Sequence, residues 1–215
     1  MTSRAAAARM AECCRELAAR GLIAGQDGNL SVRLARDRVL VTPAGLIKSR
    51  LTPSDMVEVD GAGQKRRGRR NPTSELDLHL RILRRRPDVG AVVHAHPPTA
   101  TGFAVAGQGL DAFVLPELIL LCGRVPLVPY GTPGTAELGD RVAEFIADHD
   151  VLLLANHGAV TVGRTLDEAW IRIESLEHAA RILLAARALG RVTELDEDAV
   201  RRLTARRGSQ RETDA

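Results

Sequence analysis

The chain has 215 residues, 45% of them hydrophobic, which is enough for one sizeable core and makes a single domain the expectation. Basic and acidic residues number 30 and 27, interleaved to a net charge of +3, and aromatic residues make up only 2%. Almost nothing is therefore present on which nucleic-acid bases could stack, and no apolar run is long enough to span a bilayer.

In chain order, residues 4–20 carry helical periodicity through Met10, Cys13, Cys14 and Leu17 and stop at Gly21. Glu12 and Glu16 interrupt the Ala/Arg-rich start, unlike the acid-poor pattern of a transit peptide, so a first amphipathic helix of a cytoplasmic protein is expected. Cys13, Cys14 and Cys122 form no CxxC pair and are expected as reduced thiols. Leu30–Leu34 and Val39–Val41 predict a hairpin around Asp37-Arg38, and Met56–Val59 a short strand ended by Asp60-Gly61. Lys65 to Arg70 reads as a solvated loop or strand edge. Ser74 is the expected N-cap of a helix with Asp77 in its first turn, running to Arg86 before Pro87.

The apolar run Val89–Val93 predicts a buried strand that closes on His94-Ala95-His96. Pro97-Pro98 suits the first turn of a helix to about Val105. Val125–Val128 and Val151–Ala155 are predicted strands, with a helix over 135–148 between them. The second strand closes on Asn156-His157-Gly158, after which Ala159–Val162 is placed to pair back against it. Thr165 with Glu168 forms a capping box for a long helix to about Leu189. A short polar helix over 196–206 and a frayed stretch over 208–215 finish the chain. The result is one α/β domain, a central sheet flanked by helices, with no internal repeat.

Residues i and i+2 of a strand share a face, so His94 and His96 converge on one ion, and His157 from a neighbouring strand end completes a three-histidine set. Three neutral ligands leave a coordination position open, the mark of a catalytic ion. The other histidines read otherwise. His149 is expected at an exposed helix end, and His79 as a surface or half-buried residue. His178 sits mid-helix, at a spacing that turns it toward the sheet. Three further segments suit an anion: Gly25–Ser31, Thr42–Gly45, and Thr73-Ser74 at a helix N-terminus. Each is an ordinary turn on its own, and they make a pocket only if the fold brings them together.

Taken together, Gly28-Asn29-Leu30-Ser31, Thr42-Pro43-Ala44-Gly45, Ser74-Glu75, His94-Ala95-His96 and Asn156-His157-Gly158 resemble the class II aldolase/adducin family over residues 5–190, leaving 191–215 as a tail. The resemblance implies a mixed, largely antiparallel sheet flanked by helices. It implies one divalent metal per subunit, usually Zn²⁺ with Mn²⁺ or Co²⁺ as alternatives, on His94, His96 and His157. Glu75 matches the aldolases' catalytic carboxylate, which can also ligate the resting metal, and Asn29, Gly45, Thr73 and Ser74 match the positions that hold a substrate phosphate. The activity implied is cleavage of a (deoxy)ketose 1-phosphate, such as L-fuculose 1-phosphate or 5-deoxyribulose 1-phosphate, by a homotetramer with sites at subunit interfaces. Epimerases of the family carry aspartate in place of Glu75. Methylthioribulose-phosphate dehydratases carry glutamate in the position of Glu117, so Glu117 is a second candidate catalytic residue. A dehydratase and a non-catalytic adducin-like module are the alternatives. Leu115 stands where fuculose-phosphate aldolase has a tyrosine, and Tyr130 is the one tyrosine in the chain.

Overall fold

The computed structural model describes residues 2–213. Helix α1 (Ser3–Ala19) starts where Thr2 accepts the Ala5 N–H at 3.3 Å, and its Ala6–Met10–Cys13–Leu17 stripe is buried. Strands β1 (Asn29–Ala35) and β2 (Arg38–Val41) form the expected hairpin, followed by β3 (Val57–Val59) and β4 (Lys65–Arg67). After α2 (Leu76–Arg85) comes the histidine strand β5 (Ala91–Ala95), then α3 (Pro98–Val105), α4 (Pro116–Leu121) and β6 (Leu127–Val128). Helix α5 (Ala136–Phe145), strands β7 (Val151–Leu154) and β8 (Gly158–Gly163), and helices α6 (Leu166–Ala188) and α7 (Glu197–Thr213) complete the domain.

The eight strands make one sheet in the order β4-β3-β2-β1-β5-β8-β7-β6, antiparallel throughout except for the β6–β7 pair. This is the mixed, largely antiparallel sheet expected. The charged, exposed β4 closes one edge, and Lys/Arg there discourage pairing with another chain. Alternation along β5 divides the core: Ala91, Val93 and Ala95 join the cluster under α1, α3, α4 and α6, while Val92 joins the cluster under α2 and α5. His94 shares the parity of Val92 and so points to the α2 side.

Several boundaries differ from expectation. The N-cap position of α2 is Glu75 rather than Ser74, and no side chain caps it. Helix α5 ends at Phe145, and the Val125–Val128 strand shrinks to two residues, with Val125 in an isolated bridge to Leu110. Thr165 accepts the Glu168 N–H at 3.1 Å, but the Glu168 carboxylate takes the N–H of Arg164 instead of closing the box on Thr165. The tail is helical through Thr213, where fraying from Gly208 was expected, with residues 214–215 outside the described residues. Its anchor is Arg207, which donates to buried Asp150 at 2.7 Å and to the Cys122 carbonyl at 3.0 Å. Arg86 and Arg172 also lie within 3.1 and 3.5 Å of Asp150, so one buried carboxylate ties α2, α6 and α7 together. The three cysteines are free and buried, and burial pushes the Cys14 and Cys122 thiols up to about 12. Among the described residues no helix is long and apolar enough to cross a membrane.

Candidate metal centre and anion cradle

Register brings the histidines together. His94 on β5 pairs with Asn29 on β1 and with Val160 on β8, and His96 follows the strand end, its N–H held by the Leu22 carbonyl at 3.0 Å. His157 sits in the tight turn between β7 and β8. Asn156 there has φ +55, a conformation that asparagine tolerates better than most residues. A Cβ on Gly158 would meet His96 Cδ2 at 2.5 Å and the Ala95 carbonyl oxygen at 2.6 Å. Each letter of Asn-His-Gly thus has its own physical reason.

One nitrogen from each of His94, His96 and His157 falls within 4.8 Å of the others. His94 Nδ1 donates to the Ala159 carbonyl at 3.0 Å, since a carbonyl can only accept, which leaves a lone pair on Nε2. That Nε2 lies 3.1 Å from His96 Nε2, close to the roughly 3.3 Å that two imidazole nitrogens keep on a tetrahedral zinc. Burial pushes the His94 ring down to about 3 against the pull of Glu75, so it is neutral at physiological pH, and burial likewise lowers His157.

Glu75 faces this set from the start of α2. Its Oε2 lies 3.3 Å from His94 Nε2 and its Oε1 3.6 Å from His157 Nε2. Burial alone would raise its carboxyl. The attraction of His94 and His157 when those rings carry a proton, and the 2.8 Å hydrogen bond from Asn29 Nδ2, outweigh that, and the group is held below the ordinary carboxylate range. At His94 a carboxylate oxygen and an imidazole lone pair thus face each other without a proton to share. Glu75 Oε1 and His157 Nδ1 are buried with no hydrogen-bond partner. A cation resolves that repulsion, and this donor set fits a divalent metal of the zinc type.

The three weak anion-binding segments do meet. Thr73 N–H donates to the Thr42 carbonyl at 3.0 Å, Ala44 N–H to Asn71 at 3.1 Å, and Lys48 N–H to Gly25 at 2.9 Å. Gly45 and Ser74 are exposed, and their N–H groups have no partner among the described residues. Thr73 is buried, its hydroxyl accepting the Glu75 N–H at 3.3 Å. Lys48, which sequence reasoning missed, is 3% exposed, and its ammonium bonds the Gln26 and Leu46 carbonyls at 2.7 and 3.3 Å. It ties two of the loops together and has no carboxylate partner among the described residues. Asn29 turns its amide to Glu75 and His79, so what it offers an anion is less than its sequence position implies.

His79 is fully buried, contrary to the expected surface or half-buried placement, because Asn29 and Ser31 on β1 satisfy both ring nitrogens. The Glu75-x3-His79 spacing, one helical turn, was the available signal. His149 is half-buried and lies beyond the end of α5 rather than at an exposed helix end, its Nδ1 donating to the Phe145 carbonyl at 2.9 Å. His178 is exposed rather than facing the sheet, because Glu177 takes the inward position and caps α3 through the N–H groups of Thr99 and Ala100. Glu117 is exposed as well. With Leu115 and His178 it lines a cleft of about 530 Å³ between α4 and α6 whose lining excludes the three histidines and Glu75. Glu117 thus lines a different pocket from the site that the three histidines and Glu75 form.

Comparison with known proteins agrees with this geometry. Residues 8–184 match the family described as Class II Aldolase and Adducin N-terminal domain. A 5-methylthioribulose-1-phosphate/5-deoxyribulose-1-phosphate aldolase of Rhodospirillum rubrum is 41% identical over 158 residues, 74% of this chain and 71% of that protein. A 3-oxo-tetronate 4-phosphate decarboxylase of Escherichia coli is 37% identical over 169 residues, 76% of this chain and 79% of that one. Among solved structures, an L-fuculose 1-phosphate aldolase superposes with a TM-score of 0.86 at 30% identity, covering 92% of this chain and 93% of that one.

Proposed function

We propose, from the premise that this chain belongs to the class II aldolase and adducin family, that it is a metal-dependent lyase cleaving a (deoxy)ketose 1-phosphate to dihydroxyacetone phosphate and a short aldehyde. The observation that carries the reading is Glu75 Oε1, a buried carboxylate oxygen without a hydrogen-bond partner, beside three converging imidazoles and one loop away from a cradle of free N–H donors.

In this scheme the N–H groups of Gly45 and Ser74, with the Lys48 charge beneath them, grip the phosphate. Binding energy at that non-reacting end places the C3–C4 bond over the histidines. A divalent ion on His94, His96 and His157 supplies Lewis acidity for the negative charge that develops on the C2 and C3 oxygens. Glu75, held ionised, takes the proton from carbon C3 of dihydroxyacetone phosphate in the condensation direction and returns it there in cleavage. Zinc is the expected ion. A homotetramer, the assembly implied by the family resemblance, gives exposed Glu117 a route to a neighbouring subunit's reaction centre, where it would exchange the C4 hydroxyl proton.

A second reading is favoured by the decarboxylase relative. Loss of carbon dioxide from a 3-oxo acid phosphate requires no hydroxyl proton to be removed from the departing carbon, which suits a chain with Leu115 in the tyrosine position and its one tyrosine, Tyr130, half exposed. The test is a substrate panel with Zn²⁺, Mn²⁺ and Co²⁺: L-fuculose 1-phosphate, 5-deoxyribulose 1-phosphate, its methylthio analogue and 3-oxo-tetronate 4-phosphate. Dihydroxyacetone phosphate from the ketoses supports the aldolase. Carbon dioxide from the oxo acid alone replaces it with the decarboxylase, and a diketone without carbon–carbon cleavage replaces it with a dehydratase. A protein that holds no divalent ion after mild purification, and rebinds none, is an adducin-like module. Glu75→Gln should keep the metal and lose at least about a hundredfold in rate.

A further inference from the structure

Asn29 and Ser31 lie two apart on β1 and so share a face, while Glu75 and His79 are four apart at the start of α2 and share one turn of helix. The two periodicities mesh into a buried chain: Ser31 Oγ is 2.7 Å from His79 Nδ1, His79 Nε2 is 2.5 Å from Asn29 Oδ1, and Asn29 Nδ2 is 2.8 Å from Glu75 Oε2. Donor and acceptor rules fix every direction in it. An ionised carboxylate only accepts, so Asn29 turns its NH₂ toward Glu75 and its carbonyl oxygen toward His79. That oxygen also only accepts, so the His79 proton sits on Nε2. Nδ1 then carries a lone pair, and the Ser31 hydroxyl donates to it.

We propose that His79 is a positioning residue: its Nε2–H tautomer, whose Nδ1 lone pair the Ser31 hydroxyl satisfies, fixes the Asn29 amide so that Glu75 is anchored through Oε2 and presents Oε1 to the reaction. The other tautomer would turn the Asn29 oxygen toward Glu75, which could then bond only as a neutral acid. A hydrogen-bonded core histidine without consequence for Glu75 is the competing account, and it differs in what it predicts. The inference rests on the reading of Glu75 as the carboxylate that moves the C3 proton.

Two measurements decide it. In ¹⁵N-histidine-labelled protein without metal or substrate, the His79 ring should be the neutral Nε2–H tautomer at pH 7; an Nδ1–H or charged ring overturns the proposal. In turnover with the zinc-loaded protein, Ser31→Ala should lower kcat about tenfold and His79→Leu about a hundredfold, with KM and zinc content within about twofold of wild type. In a Glu75→Gln background the same substitutions should cost less than about twofold, because they act through a carboxylate already removed. Equal losses in both backgrounds would mean a structural role and overturn the proposal. If His79→Leu fails to fold, Ser31→Ala carries the cycle. A protein inactive on every ketose phosphate defeats the aldolase reading, and the tautomer measurement then decides the positioning role by itself.

Discussion

Acid should unfold the metal-free protein in a way that singles out His79. The ring is fully buried and burial pushes it down to about 4, whereas in the unfolded chain it titrates near 6.5. At pH 5 the unfolded state therefore holds close to a full proton there and the native state about a tenth of one. More protons on the unfolded side means that unfolding becomes easier as pH falls. The penalty is absent well above pH 6.5, grows as pH drops through that value, and levels off below about 4. Between pH 7 and pH 5 it amounts to about 2 kcal/mol for this one ring. Urea denaturation of wild type and His79→Leu at pH 7, 6 and 5 reads it directly. The variant starts lower at pH 7, but the wild type should lose about 2 kcal/mol more than the variant on going to pH 5. His94 titrates alike in both proteins and cancels in the difference. Parallel stability–pH curves would show that His79 is not held neutral by its surroundings, and the account of the buried chain would fail with it.

Zinc at about a hundred times its dissociation constant should stabilise the protein by about 2.7 kcal/mol, read as a thermal shift. His96→Ala should abolish that shift, since His96 lies at the strand end and carries little of the core, and a surviving shift would refute the ligand assignment. Asp150→Ala leaves the Arg86, Arg172 and Arg207 guanidinium groups without their shared buried carboxylate and should cost about 3–5 kcal/mol in urea titrations. Lys48→Met should weaken binding of inorganic phosphate about tenfold by calorimetry while zinc affinity holds; unchanged phosphate binding would remove Lys48 from the cradle.

What the sequence made legible was whatever local periodicity decides. The Val-rich run ending in His94-Ala95-His96 specified a buried strand with two same-face imidazoles, and Asn156-His157-Gly158 specified a turn, because positive φ and close approach leave few residue choices. Boundaries slipped where tertiary bonds overrode local chemistry. Thr73 and Ser74 both offer hydroxyls before α2, yet Thr73 bonds the Glu75 N–H and the helix begins one residue later than the capping pattern suggests. The tail looked polar enough to fray and does not, because Arg207 reaches a carboxylate 57 positions earlier in the chain.

His79, Lys48 and Asp150 were illegible for a common reason. Each is a polar side chain buried by partners remote in sequence, and composition assigns such residues to the surface unless the partners are known. Their partners are also what give the site its character. His79 reaches Glu75 through Asn29, and Lys48 bonds the carbonyls of two anion-binding loops. Ser74 lies directly before Glu75, so one end of α2 joins the proposed proton-transfer carboxylate to the proposed cradle. The proposed grip on phosphate and metal is therefore built from interlocked pieces of one chain. The cleft of Leu115, Glu117 and His178, by contrast, shares no lining residue with the three histidines or Glu75. On the proposed scheme, release of carbon dioxide and release of an aldehyde would both draw on that grip, since each leaves negative charge next to a phosphate. They would differ at the departing group, where Leu115 stands in the position that the family resemblance gives to a tyrosine.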